Sequence, residues 1–281
     1  MKKMIWVVLA ALMLSALFAG CGTPPADDVL PGNSNAPAER TSDTPAEEPA
    51  NTPSGAPADV PTANSVSGGG TVSEAYSAYV AAKGNVITKI SDGLSSNPDT
   101  TMTALSFLGV AMIDLALLPV SFFGMGQESV EAGLAMMGAT GAQYTEDGDA
   151  YTITYTDEEG KTYVYAGTYD AAADALVCTA TADGAESIYS EYRKTSFGYA
   201  GQYYFLNDDG TASLYQIAVK GENGTVGISD AASKPAALTG GEAADFPVSS
   251  TEWYSINGTT ITGVTSDGTQ LNFEYTPTAT E

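Results

Sequence analysis

The chain has 281 residues, room for one or two domains, and sets 34 acidic residues against 10 basic ones for a formal net charge of -24. That charge repels nucleic-acid phosphates and anionic lipid headgroups, so nucleic acid is not an expected partner. With no histidine and only two cysteines, Cys21 and Cys178, the chain cannot build Ser-His-Asp or Cys-His nucleophile pairs, nor zinc sites of His or of four Cys; no cofactor, metal ligand or catalytic set is read from it.

In chain order, Met1-Lys2-Lys3 is a short positive segment, and Met4 to Phe18 is apolar apart from Ser15. The small residues Ala19 and Gly20 then precede Cys21. A positive flank, a short apolar core and small residues at a cut are the parts of a secretory signal peptide. The apolar run is shorter than the roughly 20 residues that a spanning helix prefers. Leu17-Phe18-Ala19-Gly20-Cys21 resembles the lipobox of bacterial lipoproteins, departing from it at Phe18, where Leu is usual. The resemblance covers residues 1–21 only. It implies that Leu17, Phe18, Ala19 and Gly20 are read by the signal peptidase. It also implies that Cys21 is lipidated and leads the mature chain, which is then held outside the bacterial cell membrane. The membrane is thus an expected partner through the lipid on Cys21, and residues 1–20 are the removed leader.

Residues 21–70 form the next unit, the lipidated cysteine followed by a linker rich in Pro, Ala, Ser and Thr. Its larger apolar residues are Val29, Leu30, Val60 and Val66. No core can form from these, so disorder is expected.

Residues 71–281 are expected to fold, with helices in 72–139 and strands in 140–276. Ser73 is placed to cap a first helix whose stripe is Tyr76, Val80, Lys83, Ile87, Ile90 and Leu94. Asn97-Pro98-Asp99 starts a second. The stretch 102–126 is strongly apolar with one charge, Asp114, and is interrupted by Pro119. The charge in mid-span and the missing positive flank favour a buried helix ending near Leu118 over a membrane span, with Asp114 facing a partner or solvent. Gln127 to Met137 reads as a third helix, Val130, Leu134 and Met137 sharing a face and Gly138 closing it.

From residue 140 the period changes to two. Tyr151, Ile153 and Tyr155 alternate with threonines, and about ten short strands follow. They are separated by turns such as Asp183-Gly184, Asn257-Gly258 and Asp267-Gly268, which suit tight hairpins. The expected fold class is α+β, with N-terminal helices packed on a large antiparallel β-meander or half-barrel. A half-barrel with helices in its mouth resembles, in outline only, periplasmic lipoprotein carriers.

The acidic turns Glu146-Asp147-Gly148-Asp149 and Asn207-Asp208-Asp209-Gly210 lack the full calcium-loop spacing and read as hairpin turns. The 16 tyrosines read as cross-strand packing. Cys178, in a strand-like apolar run, reads as a small buried hydrophobe. Ligand-facing residues are not assigned. The functional expectation is a non-catalytic, membrane-anchored extracytoplasmic lipoprotein that binds an apolar ligand or an envelope protein. One alternative is a surface structural or interaction module. Another is a cell-wall glycan hydrolase working through carboxylates such as Glu158, Glu159, Asp170 and Asp174.

Overall fold

A computed structural model of the protein describes residues 71–277 apart from Asp208. The leader and linker expectations for residues 1–70, including the lipobox and Cys21, lie outside the described residues. The helical segment comprises α1 (Val72–Ser96), a 3-10 turn (Pro98–Thr100), α2 (Thr101–Ala111), α3 (Ile113–Ala116), a second 3-10 turn (Leu118–Phe122) and α4 (Gln127–Ala135). Eleven strands follow: β1 (Thr140–Asp147), β2 (Ala150–Thr156), β3 (Thr162–Asp170), β4 (Ala175–Ala182), β5 (Ala185–Lys194) and β6 (Tyr199–Leu206), then β7 (Ala212–Lys220), β8 (Asn223–Asp230), β9 (Glu252–Asn257), β10 (Thr260–Val264) and β11 (Gln270–Glu274). They form one sheet in strict sequence order, antiparallel throughout and not closed. The class is α+β.

The first helix is capped by Thr71 rather than Ser73. The Thr71 hydroxyl accepts from the Glu74 amide at 3.3 Å, and the Glu74 carboxylate accepts from the Thr71 amide at 2.9 Å. This reciprocal capping box satisfies two amides that the helix start would otherwise leave bare. Buried on α1 are Val72, Tyr76, Tyr79, Lys83, Val86, Ile87, Ile90 and Leu94. The stripe is broader than the spacing of three and four suggests, and Val80 sits at its margin, half-buried.

That stripe crosses the sheet. Tyr79 lies over Gly201 of β6, Val86 over Gly224 of β8, and Gly93 against Ile261 of β10. Seven residues of helix advance about 10 Å, which matches two strand spacings of about 4.8 Å each. The axis of α1 therefore runs across the strands. Beneath it the pairing register lines up one continuous row: Tyr169, Leu176, Tyr192, Gly201, Ile217, Val226, Tyr254, Gly263 and Leu271, from β3 to β11. Glycines fall where the helical layer presses closest. A Cβ at Gly201 would overlap the Tyr79 hydroxyl, and one at Gly167 of β3 would overlap the Phe123 ring. Glycine inside a strand weakens it and often marks such a close approach.

The helical segment returns over the sheet through Phe107, Val110, Ile113, Leu117, Val120 and Phe123, all buried. The buried-helix expectation for 102–126 holds for that face alone. Met102, Leu105 and Leu108 point outward, at 75%, 64% and 43% exposure. The helix also breaks twice, into α3 and a 3-10 turn. Among the described residues no single helix is long and apolar enough to cross a membrane; Pro98–Leu105 and Phe107–Ala116 pass by length and composition only together, and are bent by 44°. On α4, Val130 and Leu134 are buried as expected, whereas Met137 lies beyond the helix end and is exposed. Gly138 has φ +78 and ends it.

The strand count exceeds the sequence expectation by β1. Its burial barely alternates, because it is an edge strand covered only in part, by α4. Replacing Gly201 with valine is expected to destabilise the domain by about 1–3 kcal/mol or more, through overpacking against Tyr79. Urea denaturation followed by circular dichroism checks it, and an unchanged midpoint would contradict the close contact.

Candidate functional site

Two polar clusters lie on opposite faces of the sheet. The inner one grows from Lys83, a charged residue in the buried stripe of α1 with 0% exposure. Its ammonium donates to Asp114 of α3 in a close ion pair, and to the Tyr203 hydroxyl on β6 at 3.2 Å. It also lies 4.7 Å from the Tyr203 ring centroid. Tyr203 shares a short hydrogen bond with Tyr79, and Tyr79 stacks on Tyr192 of β5 with ring centroids 4.4 Å apart. Asp114 thus faces Lys83, while its own side chain keeps 33% exposure.

Burial disfavours every charged form here. It holds the Lys83 amine below the ordinary lysine value, against the raising effect of Asp114. It pushes the Tyr76, Tyr79 and Tyr203 phenols well above theirs. The cluster is closed. The gap between Tyr76, Tyr79, Leu176, Ser190, Tyr192 and Tyr203 is only about 10 Å³, at the lower limit for one water. Lys83 itself has no exposed surface, and its bonds tie α1 to α3 and β6. Cys178 faces the same interior from β4 with 2% exposure, and burial pushes its thiol up to about 12.

The outer cluster is centred on Glu191 of β5, at 2% exposure. One carboxylate oxygen accepts from the Tyr189 hydroxyl at 2.8 Å, Gln202 Nε2 at 2.9 Å and the Leu238 amide at 2.9 Å. Gln202 Nε2 also donates to the Ala236 carbonyl at 2.8 Å. Together they pin the connection 231–250 over the outer face of the sheet, beside Tyr189, Tyr204 and Ala212. Sequence reasoning missed Lys83 and Glu191 as organising charges. Their only signals were a lysine inside an apolar helical stripe and a carboxylate between two tyrosines of a strand.

A groove of about 240 Å³ opens between the turn before α2 and strands β9–β11, lined by Asp99, Met102, Glu252, Tyr254, Asp267 and Leu271 among others. Glu252 accepts from the Tyr254 hydroxyl at 2.6 Å. Among the described residues no group of three or more His, Cys, Asp or Glu side chains is arranged to hold a metal ion.

The four carboxylates weighed for hydrolysis divide between two turns. Glu158 and Glu159 sit before β3, Asp170 and Asp174 at its far end; a nine-residue strand separates the two turns by about 25–30 Å. A retaining or inverting pair stands about 5–9.5 Å apart. Asp170 accepts the Ala172 and Ala173 amides, and Asp174 accepts from the Tyr192 hydroxyl at 3.2 Å. The lipobox positions Leu17, Phe18, Ala19, Gly20 and Cys21 lie outside the described residues.

The remaining feature is the outward side of α2, where Met102, Leu105 and Leu108 are exposed. Compared with protein-family models, with curated proteins and with solved structures, the chain matches none.

Asp114→Ala strands the buried Lys83 charge and is expected to cost about 3–5 kcal/mol. Lys83→Met should cost less, because it fills the space and leaves a carboxylate that water can reach; urea denaturation of both variants checks the order. The raised phenol values set an alkaline limit. The unfolded state ionises tyrosine near pH 10 and the folded state only at higher pH, so their stabilisation is complete below about 10 and lost as pH rises above it. Absorbance at 295 nm and circular dichroism should therefore change together above that pH; phenolate appearing in a still-folded chain from Tyr79 or Tyr203 would contradict their burial.

Proposed function

We propose that this chain is a membrane-anchored extracytoplasmic lipoprotein, non-catalytic, whose folded domain acts through its surface on an envelope partner or an apolar ligand. The observation that carries the surface reading is the exposed Met102, Leu105 and Leu108 side of α2, set above a closely filled interior. Three outward apolar side chains in one short helix suit an interaction site better than solvent. The anchor rests on the lipobox resemblance at Leu17–Cys21.

An interior lipid site, as the half-barrel likeness to lipoprotein carriers would imply, finds no support in a void of about 10 Å³. An acyl chain needs a pocket of several hundred Å³. The hydrolase alternative is weakened by the separation of Glu158 and Glu159 from Asp170 and Asp174. The surface interaction-module alternative would act through sheet edges or exposed tyrosines rather than through α2.

The test is incorporation of labelled palmitate into the chain in growing bacteria. Label is expected in the native chain and lost in Cys21→Ser, which should also leave the membrane fraction. A thiol titration is independent of labelling. The mature lipoprotein should show no reactive thiol when folded and one, Cys178, when denatured. Two thiols in denaturant would mean that Cys21 is unmodified and would reject the anchor.

A further inference from the structure

We propose that the outward side of α2 seats on the lipid bilayer itself, so that the domain lies against the membrane to which its chain is tethered. This rests on the anchor reading above and goes beyond it by naming the occupant.

Three observations point to lipid. The first is geometry. At 3.6 residues per turn, Met102, Leu105, Leu108, Gly109 and Met112 fall within an arc of about 120°, and the first three are 75%, 64% and 43% exposed. The buried residues Phe107 and Val110 occupy the opposite side. An interfacial helix has this form, with one side held by the protein and the other sunk among headgroups and upper acyl chains.

The second is charge. The chain carries -24 overall, yet from Thr100 to Gln127 the sole charged residue is Asp114, already paired with Lys83. Elsewhere an acidic surface is repelled by anionic headgroups. This stretch adds no further charge of its own, and the carboxylates of Asp99, Glu252 and Asp267 beside Met102 at the groove favour a neutral over an anionic bilayer.

The third is where the outside chain joins. Residues before Thr71 lead into α1 at Val72, and Val72 packs against Gly124, next to Met125, which is 47% exposed. The described domain therefore begins in the same helical layer that carries the apolar side. Forty-nine residues lie between Cys21 and Thr71. A tether of that kind holds the domain at an effective concentration up to the order of mM at the lipid surface. A three- or four-residue apolar contact too weak to recruit a free protein is sufficient once the anchor supplies proximity, as two-signal membrane attachment requires.

The experiment uses the lipidated full chain, reconstituted into phosphatidylcholine vesicles with brominated acyl chains. A polarity-sensitive fluorophore is placed at Leu105→Cys, at Leu108→Cys or, as control, at Ala232→Cys in the exposed connection over the outer face. Cys178 is buried and Cys21 carries the lipid, so labelling is specific. The expected result is a blue shift and bromine quenching at 105 and 108, absent at 232, with quenching weakened when anionic lipid is added. Equal behaviour at all three positions, in a chain that has incorporated palmitate, overturns bilayer seating and leaves the anchor standing. Concentration-dependent crosslinking between copies through position 105, without quenching, makes the occupant a second copy and also overturns it. A chain that takes up no palmitate removes the tether, and both readings fall.

Discussion

An open sheet of eleven strands exposes one long apolar face, and the rest of this domain depends on how α1 covers it. Running across the strands, the helix touches a new pair of them with every seven residues: Tyr79 at β6, Val86 at β8, Gly93 at β10. One 25-residue element thereby ties together strands far apart in the sheet. The second 3-10 turn covers the remaining end, with Phe123 just after it reaching β3. Small residues on the sheet are the other half of the same fit, since a helix that crosses strands needs gaps where its largest side chains land.

Much of this was legible in the residues. The two-residue period and the Asp-Gly and Asn-Gly turns located ten of the strands, because hairpin chemistry is local. The α1 stripe was visible through its spacing, and Cys178 through its apolar neighbours. What was not legible depended on contacts distant in sequence. The cap at Thr71 was hidden because Ser73 is an equally good capping residue type, and only the reciprocal bond to Glu74 decides. The split of 102–126 into a buried and an exposed side was hidden because both sides are apolar, so the sequence carries no contrast between them. β1 was missed because an edge strand need not alternate. Of the candidate site, the apolar character of α2 could be read, but not its outward direction.

The interior combines aliphatic side chains with a cluster of tyrosines and a few buried polar groups. Tyr76, Tyr79, Tyr192 and Tyr203 bring large rings and hydroxyls that favour a partner when buried, and Lys83, paired with Asp114, donates to that of Tyr203. A buried charge pair contributes little net stability against an apolar replacement, yet it penalises any arrangement in which the two are parted. Here the pair joins α1 to α3 and, through Tyr203, to β6, so sliding the helices along the sheet would expose an unpaired ammonium to a ring-lined interior. Glu191 fixes the connection 231–250 on the other face in the same manner. With both faces pinned, this domain has little internal slack with which to admit a ligand, which directs attention to its exterior.

Because β1 to β11 pair strictly with their chain neighbours, no strand waits for a distant partner while the polypeptide lengthens. Each hairpin can close as soon as its second arm exists, and apart from the long connection 231–250 between β8 and β9 the loop entropy spent at each step is that of a short turn. Such a topology lends itself to assembly by accretion from one margin. The growing margin presents unpaired amides and carbonyls until the last arm is laid down, and the final strand, β11, is only five residues long. That short terminus leaves a stranger's strand little length to pair with, a modest safeguard against sheet-to-sheet aggregation.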